Sequence, residues 1–342
     1  MSRQPMNSCL ASSSHIAAVF LFHCLVIFFL TISNISSSYG GNNETDYQAL
    51  LKFKSMITND PYRVLTSWND SFHFCDWGGV SCGKHHKRVT RVELISKGLE
   101  GSLSPHVGNL TFLREFLLLN NSFEGVIPHK LGHLSRLRIL NLSYNKFSGE
   151  IPTNLSRCSN LRSNKLVGSI PKEISFLSKL NTLRLDANCL TGGIPPFLGN
   201  ITSMEVFSAN TNPLGGNIPH TIGQLKLLRK IQCSECNLYG TIPHSIYNLS
   251  LLTHFALPVN RLTGSLPLAF GAMLPRLVFL QLRINQLTGV LPPSISNCSE
   301  LVIFEMAFNS FSGKVSIDFA NLRDIYEIGS HYLHTMASYL HT

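Results

Sequence analysis

Apolar residues recur in one fixed frame through most of this chain. The segments LRILNLSYNKFSGEIPTNLSRCSN (137–160) and LNTLRLDANCLTGGIPPFLGNITS (180–203) share the pattern L-x-x-L-x-L-x-x-N-x-L-x-G-x-I-P-x-x-L-x-x-L, which closes after 24 residues. The L-x-L alternation predicts a short strand with inward leucines. One such unit cannot bury its own leucines, so we expect neighbouring units to stack around a continuous core.

The polar position 9 of the frame marks each unit. It is occupied in order by Asn121, Asn145, Asn164, Asn188, Asn212, Cys236, Asn260, Asn285 and Asn309. A glycine follows at position 13, from Gly125 to Gly313. An imperfect first unit begins at Val89, with Lys97 at position 9, which makes ten repeats over 89–324. An Asn side chain can satisfy backbone groups where the chain leaves the strand, and Cys is its recognised substitute.

One step of the frame, from Asn145 to Asn164, is only 19 residues long. Counted forward, Leu161 is position 1 and the strand is missing. Counted backward, Leu161 is position 6, residues 159–163 form the strand, and the loss falls on the return segment after Leu155. A missing strand would leave the N–H and C=O groups of its neighbours unpaired, so we predict the second alignment.

The pattern is typical of an α/β solenoid, a plant-type leucine-rich-repeat superhelix with a concave parallel sheet and a helical N-terminal cap. Residues 45–82, TDYQALLKFKSMITNDPYRVLTSWNDSFHFCDWGGVSC, closely resemble the cap of plant leucine-rich-repeat receptor-like Ser/Thr kinases. Thr45 with Gln48 predicts a capping box that opens a helix. Leu50, Phe53 and Ile57 would cover the first coil.

The resemblance also assigns roles to individual residues. Trp68, Trp77 and Val80 match the family's cap, and Cys75 with Cys82 match its disulfide. Residues 102–128, SLSPHVGNLTFLREFLLLNNSFEGVIP, resemble the subgroup that includes plant pattern-recognition immune receptors. Such relatives continue through more repeats, a membrane span and a kinase. This implies an extracellular ligand-binding part in defence signalling, truncated before the span and kinase.

The expected boundaries are a signal peptide at 1–40, the cap at 41–88, ten repeats at 89–324 and an out-of-frame tail at 325–342. The run Ile16–Ile32 is nearly all apolar and is followed by the small residues Ser38 and Gly40, which predicts cleavage near Gly40. A retained anchor is the alternative. We therefore expect a secreted, apoplastic protein, or one on the extracellular side of the plasma membrane if the parent is a full receptor.

Secretion agrees with the glycosylation motifs and the cysteines. Asn-x-Ser/Thr occurs at Asn43, Asn69, Asn109, Asn120, Asn141, Asn154, Asn200, Asn248 and Asn297. Cys158, Cys233 and Cys298 occupy apolar positions and predict buried thiols, whereas Cys189 should be partly exposed. The formal net charge is +9, but Lys84–Arg88 is the single basic cluster and indicates a solvated loop, not a nucleic-acid surface.

Catalytic and metal motifs are weak throughout. Asp318-Phe319-Ala320 lies inside a repeat without other kinase motifs, and Gly313-Lys314 lacks the Walker A spacing. His331 and His334 have no partner that would indicate a metal. We therefore predict no enzymatic activity of this chain, no cofactor and no metal site.

The remaining candidate for a functional site is the outward surface of the predicted sheet. The variable strand residues on the concave face are the candidate ligand contacts: Arg184, Asp186, Ser208, Asn210, Gln232, Ser234, Phe279, Gln281, Arg283 and Phe308. The leading hypothesis is a receptor ectodomain for an extracellular peptide, protein or cell-wall-derived ligand, with a co-receptor in the full-length family. The alternative is a secreted inhibitor of microbial wall-degrading enzymes, similar to polygalacturonase inhibitors, although their cysteine-rich end has no counterpart after Cys298.

Overall fold

The computed structural model describes residues 43–153, 158–322 and 327–328. The predicted signal segment, the Asn154 motif, His331 and His334 lie outside these residues, as does the side chain of Cys158. At the start of the predicted tail, strand Glu327–Ile328 pairs in parallel with Ile303–Phe304, one repeat earlier, so these two residues add a strand to the sheet.

The main element is one sheet, and its outward side is called the concave face below. Its first pair of strands is antiparallel, and every later pair is parallel with a register that follows the repeat. In sheet order the strands are Val80–Cys82, Val89–Glu93, Glu115–Leu117, Ile139–Asn141, Cys158–Asn160, Thr182–Arg184, Val206–Ser208, Lys230–Gln232, His254–Ala256, Phe279–Gln281, Ile303–Glu305 and Glu327–Ile328.

The short repeat keeps its strand. Cys158–Asn160 pairs with Ile139–Asn141 on one side and with Thr182–Arg184 on the other. Beyond the strand, the N–H of Leu161 donates to the Arg184 carbonyl at 2.9 Å. The backward alignment is therefore confirmed, because removing residues from the return segment leaves the sheet ladder intact.

Smaller sheets follow the main one along the side of the solenoid. The first contains Ile57–Asn59, Glu100–Ser102, Ser122–Val126, Lys146–Glu150, Lys165–Ser169 and Cys189–Thr191, and the second contains Tyr239–Thr241, Arg261–Ser265, Gln286–Gly289 and Ser310–Phe311. Position 10 normally donates its N–H to the preceding coil, as Arg261 does to the Leu238 carbonyl at 2.7 Å. Pro213 occupies position 10 at the break between these sheets and has no N–H to donate.

The return segments are short helices linked to the strands by tight turns. The 3₁₀ helices are Phe74–Asp76, Pro105–Asn109, His129–His133, Lys172–Phe176, Pro196–Asn200, His220–Gln224, His244–Asn248, Pro293–Asn297 and Phe319–Asn321, and an α-helix covers Phe270–Met273. The glycines at position 13 from Gly125 to Gly313 have φ between 75° and 83°. This left-handed conformation explains why the frame requires glycine there.

Position 9 links adjacent coils, as the sequence predicted. Asn212, which is 1% exposed, donates to the carbonyls of Leu185, Ala209 and Asn210 at 3.0, 2.9 and 3.2 Å. Its Oδ1 accepts the Leu190 N–H of the preceding coil at 3.1 Å. At the same position the Cys236 thiol donates to the carbonyls of Ala209 and Ser234 at 3.1 and 3.3 Å, which confirms cysteine as the substitute.

Replacing Cys236 with asparagine should be tolerated and should raise the free energy of unfolding by about 1 kcal/mol, since a thiol is the weaker donor. Cys236→Ala should lower it by about the same amount, because the Ala209 carbonyl loses its donor inside the core. Urea unfolding of the two variants beside the parent chain measures both. A loss of stability in Cys236→Asn would contradict the equivalence of the two side chains.

The cap begins with a helix over residues 43–54. The capping-box prediction was wrong, because residues 43 and 44 are already helical and Gln48 donates to Glu44 at 2.8 Å instead. Leu50 and Phe53 are buried as expected, and Ile57 packs against the core from its strand.

Two tryptophans complete the cap. Trp68 and Trp77 stack with ring centroids 5.3 Å apart, and the Trp68 indole N–H donates to the Gly78 carbonyl at 2.9 Å. Both rings and Val80 are buried. The Cys75–Cys82 disulfide is present, with Cα atoms 5.4 Å apart, which confirms the pairing that the family resemblance implied.

Arg88 corrects the prediction of a solvated basic loop. Lys84, His85, His86 and Lys87 are exposed, but Arg88 is only 5% exposed. Its Nε and Nη2 donate to the two carboxylate oxygens of Asp46, at 2.9 and 2.7 Å, and Asp46 also accepts the Val89 N–H at 2.8 Å. This buried ion pair joins the cap helix to the first strand of the repeats.

Candidate functional site on the concave face

The concave face is formed by positions 3, 5 and 7 of each repeat, which point away from the core. Nine of the ten predicted contact residues occupy these positions. The exception is Phe308, which was wrongly taken as a strand residue. It follows strand Ile303–Glu305 at position 8, where φ is 55°, and its side chain is 45% exposed in the turn.

The centre of the face is a connected polar group, called the polar cluster: Asp186, Ser208, Asn210 and Ser234. The Ser208 hydroxyl bonds to Asp186 Oδ1, which also accepts the Asn210 N–H at 3.0 Å. Asn210 Nδ2 donates to Ser208 Oγ at 3.2 Å, and Asn210 Oδ1 accepts the Ser234 N–H at 2.8 Å. These bonds cross three coils and hold the side chains of Asp186, Ser208 and Asn210 in fixed orientations.

Ser208 itself differs from the expectation of an accessible contact. It is only 3% exposed, because Asp186 and Asn210 bond to it from neighbouring positions. Arg184 and Gln232, at position 5 on either side, remain half-buried. A ligand on this part of the face would therefore meet Asp186, Asn210 and their neighbours, while Ser208 supports them from beneath.

Towards the later repeats the face becomes aromatic. The rings of His254 and Phe279 stack with centroids 4.2 Å apart at position 3 of adjacent strands. Beside them, Arg283 Nε lies 3.0 Å from Glu305 Oε2. The sequence reasoning missed His254 and Glu305. Their positions in the frame, 3 and 5, were sufficient to place them on this face.

His254 stays neutral on this surface at mildly acidic pH. Burial, and after it the nearby Lys230 ammonium, together lower the pKa of its imidazole from 6.5 to about 4. A neutral ring retains its stacking partner and lets the imidazole accept as well as donate a hydrogen bond.

Stability should therefore fall as the pH drops from about 6.5 to about 4. In this range the unfolded chain protonates His254, whereas the folded chain does so only near pH 4. The stabilisation is fully present above pH 6.5, and below pH 4 both states carry the proton. NMR titration of the imidazole should give a pKa near 4, and Lys230→Gln should raise it. A pKa at or above 6.5 would contradict this.

Most of the remaining predicted residues lie away from this face. Cys233 and Cys298 are buried and Cys189 is exposed, as expected. Burial raises the pKa of the Cys298 thiol to about 11. Among the glycosylation motifs, Asn109, Asn200, Asn248 and Asn297 are exposed and each ends a 3₁₀ helix of the return side. Asn43 and Asn120 are exposed as well.

Two motifs lie in more enclosed positions. Asn69 is half-buried in the cap, where its amide donates to the Thr66 carbonyl at 2.7 Å. Asn141 stands on the concave face at position 5 and accepts from the Ser143 hydroxyl at 2.6 Å. Within residues 43–153, 158–322 and 327–328, no group of His, Cys, Asp or Glu could hold a metal, and no helix has the length and apolar character of a membrane span.

Family comparisons agree with this architecture. The model described as "Leucine rich repeat N-terminal domain" matches residues 43–83. The model "Leucine Rich Repeat" matches residues 136–158, 179–201 and 276–298. The matched cap segment therefore coincides with the helix, the tryptophan pair and the disulfide.

Plant receptor kinases are among the proteins that this chain is similar to. The LRR receptor-like serine/threonine-protein kinase EFR of Arabidopsis thaliana is 50% identical over 82 residues, which cover 24% of this chain and 8% of EFR. The ectodomain of GASSHO1/SCHENGEN3 from Arabidopsis thaliana, solved with CASPARIAN STRIP INTEGRITY FACTOR 2, aligns with a TM-score of 0.77 and 33% identity over 82% of this chain and 35% of that one.

The Arabidopsis receptor kinase HAESA ectodomain, solved with an IDA peptide hormone ligand, gives a TM-score of 0.74 and 32% identity. That alignment covers 82% of this chain and 48% of HAESA. The chain thus spans less than half the length of these relatives, and what it matches in EFR is a small part of a much longer protein.

Proposed function

Because this chain is a leucine-rich-repeat protein that resembles the ectodomains of plant receptor kinases, we propose that its concave face binds an extracellular peptide in an extended conformation. The observation that carries the proposal is the continuous outward face of the parallel sheet, on which the polar cluster lies next to the stacked His254 and Phe279. The GASSHO1/SCHENGEN3 and HAESA ectodomains, both solved with ligands, align over 82% of the chain.

The chemistry of this face suits a peptide. The polar cluster presents side chains that are already oriented by mutual hydrogen bonds, so a ligand does not have to order them. The half-buried rings of His254 and Phe279 offer apolar area for one ligand side chain. Gln232 and Gln281, at position 5 of their strands, can both donate to and accept from a peptide backbone.

The site is proposed to lie between Arg184 and Glu305. Asn141 carries a glycosylation motif at position 5 of an earlier strand, and a glycan there would cover that part of the face. The four exposed motifs on the return side would leave the later strands open. In a full-length relative, a co-receptor and defence signalling would complete the function, and secretion would place this face in the apoplast.

The test is capture of peptides from apoplastic fluid on the immobilised chain, with the bound peptides identified by mass spectrometry. The variant Gln232→Ala/Phe279→Ala should lose at least tenfold in affinity for a captured synthetic peptide. The matched control Gln224→Ala/Phe176→Ala changes exposed residues of the return helices and should retain full affinity. Equal losses in both variants would refute a concave site.

A further inference from the structure

A strip of exposed cations lies next to the cap, at the N-terminal ends of the first strands of the repeats. It consists of Lys84, Lys87, Arg114, Arg136 and Arg138 and is called the basic edge. Lys84 and Lys87 lie in the loop before strand Val89–Glu93, and Arg114 and Arg138 directly precede the next two strands. The sequence shows the first two in a cluster, but the repeat brings the three arginines beside them.

The arginines are adjacent in space. The N–H groups of Arg138 and Ile139 both donate to the Arg114 carbonyl, at 2.7 and 3.0 Å. Arg114 and Arg138 hold equivalent positions of neighbouring coils, so their backbones are about 4.8 Å apart. The Arg136 guanidinium lies 3.9 Å from the centre of the Phe112 ring, which belongs to the preceding coil.

Nearby carboxylates do not neutralise this strip. Asp46 is bonded to Arg88 and the Val89 N–H, and Glu93 and Glu115 pair with Arg91 at 2.8 and 3.4 Å. In the part of the chain that the structure describes, none of the five cations of the basic edge forms an ion pair with a carboxylate. The result is a group of uncompensated positive charges, of which Arg114 and Arg138 are spaced by the repeat.

The side chains of the basic edge indicate which class of polyanion could bind there. Single-stranded nucleic acid needs open aromatic faces on which its bases stack. The half-buried Phe112 ring is already contacted by the guanidiniums of Arg88 and Arg136, at 4.7 and 3.9 Å, and by the His86 ring at 4.6 Å. A linear acidic polysaccharide requires no stacking. It presents one carboxylate per uronic acid residue, and guanidinium groups pair well with carboxylates.

We propose that the basic edge binds a linear polyuronate, as a second site separate from the peptide site on the concave face. The polymer would lie across the coils, with its carboxylates paired to Arg114, Arg136 and Arg138 and to the lysines of the cap loop. Because these groups are solvent-exposed, binding is electrostatic and weakens with salt. The two sites lie on different repeats, so each can be lost without the other.

The experiment titrates the purified chain with polygalacturonate and with galacturonate oligomers of defined length by calorimetry. The variant Arg114→Gln/Arg138→Gln should weaken binding at least tenfold at about 0.15 M salt and reduce its salt dependence. The matched control Lys226→Gln/Arg261→Gln removes two exposed cations from later repeats and should change the affinity less than twofold. Thermal unfolding confirms that both variants fold.

Several results would overturn the proposal. One is equal weakening in both variants, since that would show attraction to the net charge and not to the basic edge. Another is tighter binding of a single-stranded or duplex DNA of the same charge, because the site would then be selective for nucleic acid. Absence of binding to polygalacturonate in the folded parent chain is the third. None of these results bears on peptide capture by the concave face.

Discussion

Substitution of Asp46 by alanine should destabilise the chain by about 3–5 kcal/mol, because it leaves the Arg88 guanidinium buried without its partner. The carboxylate is fully buried and accepts three hydrogen bonds, two from Arg88 and one from the Val89 N–H. The effect should concentrate at the junction of cap and repeats, where these groups meet. Hydrogen exchange at Val89 and the midpoint of urea unfolding measure it.

A double-mutant cycle separates the ion pair from its surroundings. Arg88→Met alone should also lower the free energy of unfolding, since it leaves the buried Asp46 carboxylate without its ion-pair partner. The double variant Asp46→Leu/Arg88→Met should recover much of the lost stability. Arg91→Met is the matched control, because Arg91 forms ion pairs that are partly exposed, with an expected cost of about 1 kcal/mol or less. Additive losses in the cycle would show that the two residues act independently.

The second large effect is expected at position 9 of the repeat. Asn212→Ala removes the donor to three carbonyls and the acceptor of the Leu190 N–H, and should cost about 3 kcal/mol or more, since three of these four bonds are buried. Faster exchange of the Leu190 amide would locate the damage. Repeat proteins lose cooperativity along their length, so this local measurement accompanies the unfolding midpoint.

Asn181→Ala serves as the control for this substitution. Asn181 is exposed at position 2 of the same stretch of repeats, and its backbone carbonyl accepts the N–H groups of Glu205 and Val206. Its replacement should change the stability by less than about 0.5 kcal/mol. If Asn212→Ala changed the stability as little as Asn181→Ala, the hydrogen bonds of the asparagines at position 9 would not be what joins the coils.

The repeat could be predicted because each coil obeys local rules. Leucine spacing, position 9 and the glycine at position 13 fix the strand and the turns within 24 residues, and the pairing requirement was enough to place the strand of the short repeat. The disulfide followed from family resemblance. The Asp46–Arg88 ion pair could not be predicted from the sequence, because its partners are 42 residues apart and the cap contacts the repeats through residues outside the repeat pattern.

The errors also have physical causes. The capping box was predicted from the spacing of Thr45 and Gln48 alone, but residues 43 and 44 are already helical. Phe308 was assigned to the strand although position 8 takes a left-handed turn in every repeat from Ser96 onward. The burial of Ser208 depends on side chains from adjacent coils, which no single repeat reveals.

Photo-crosslinking can show directly whether the concave face binds a peptide. A photoreactive amino acid replaces Gln232 or Gln281 on this face or, as the control, Gln224 on the return side, and each chain is irradiated with a captured peptide. If the peptide lies on the concave face, covalent adducts form at 232 and 281, are competed by unlabelled peptide, and are absent at 224. Adducts at 224 with none at 232 or 281 would contradict it.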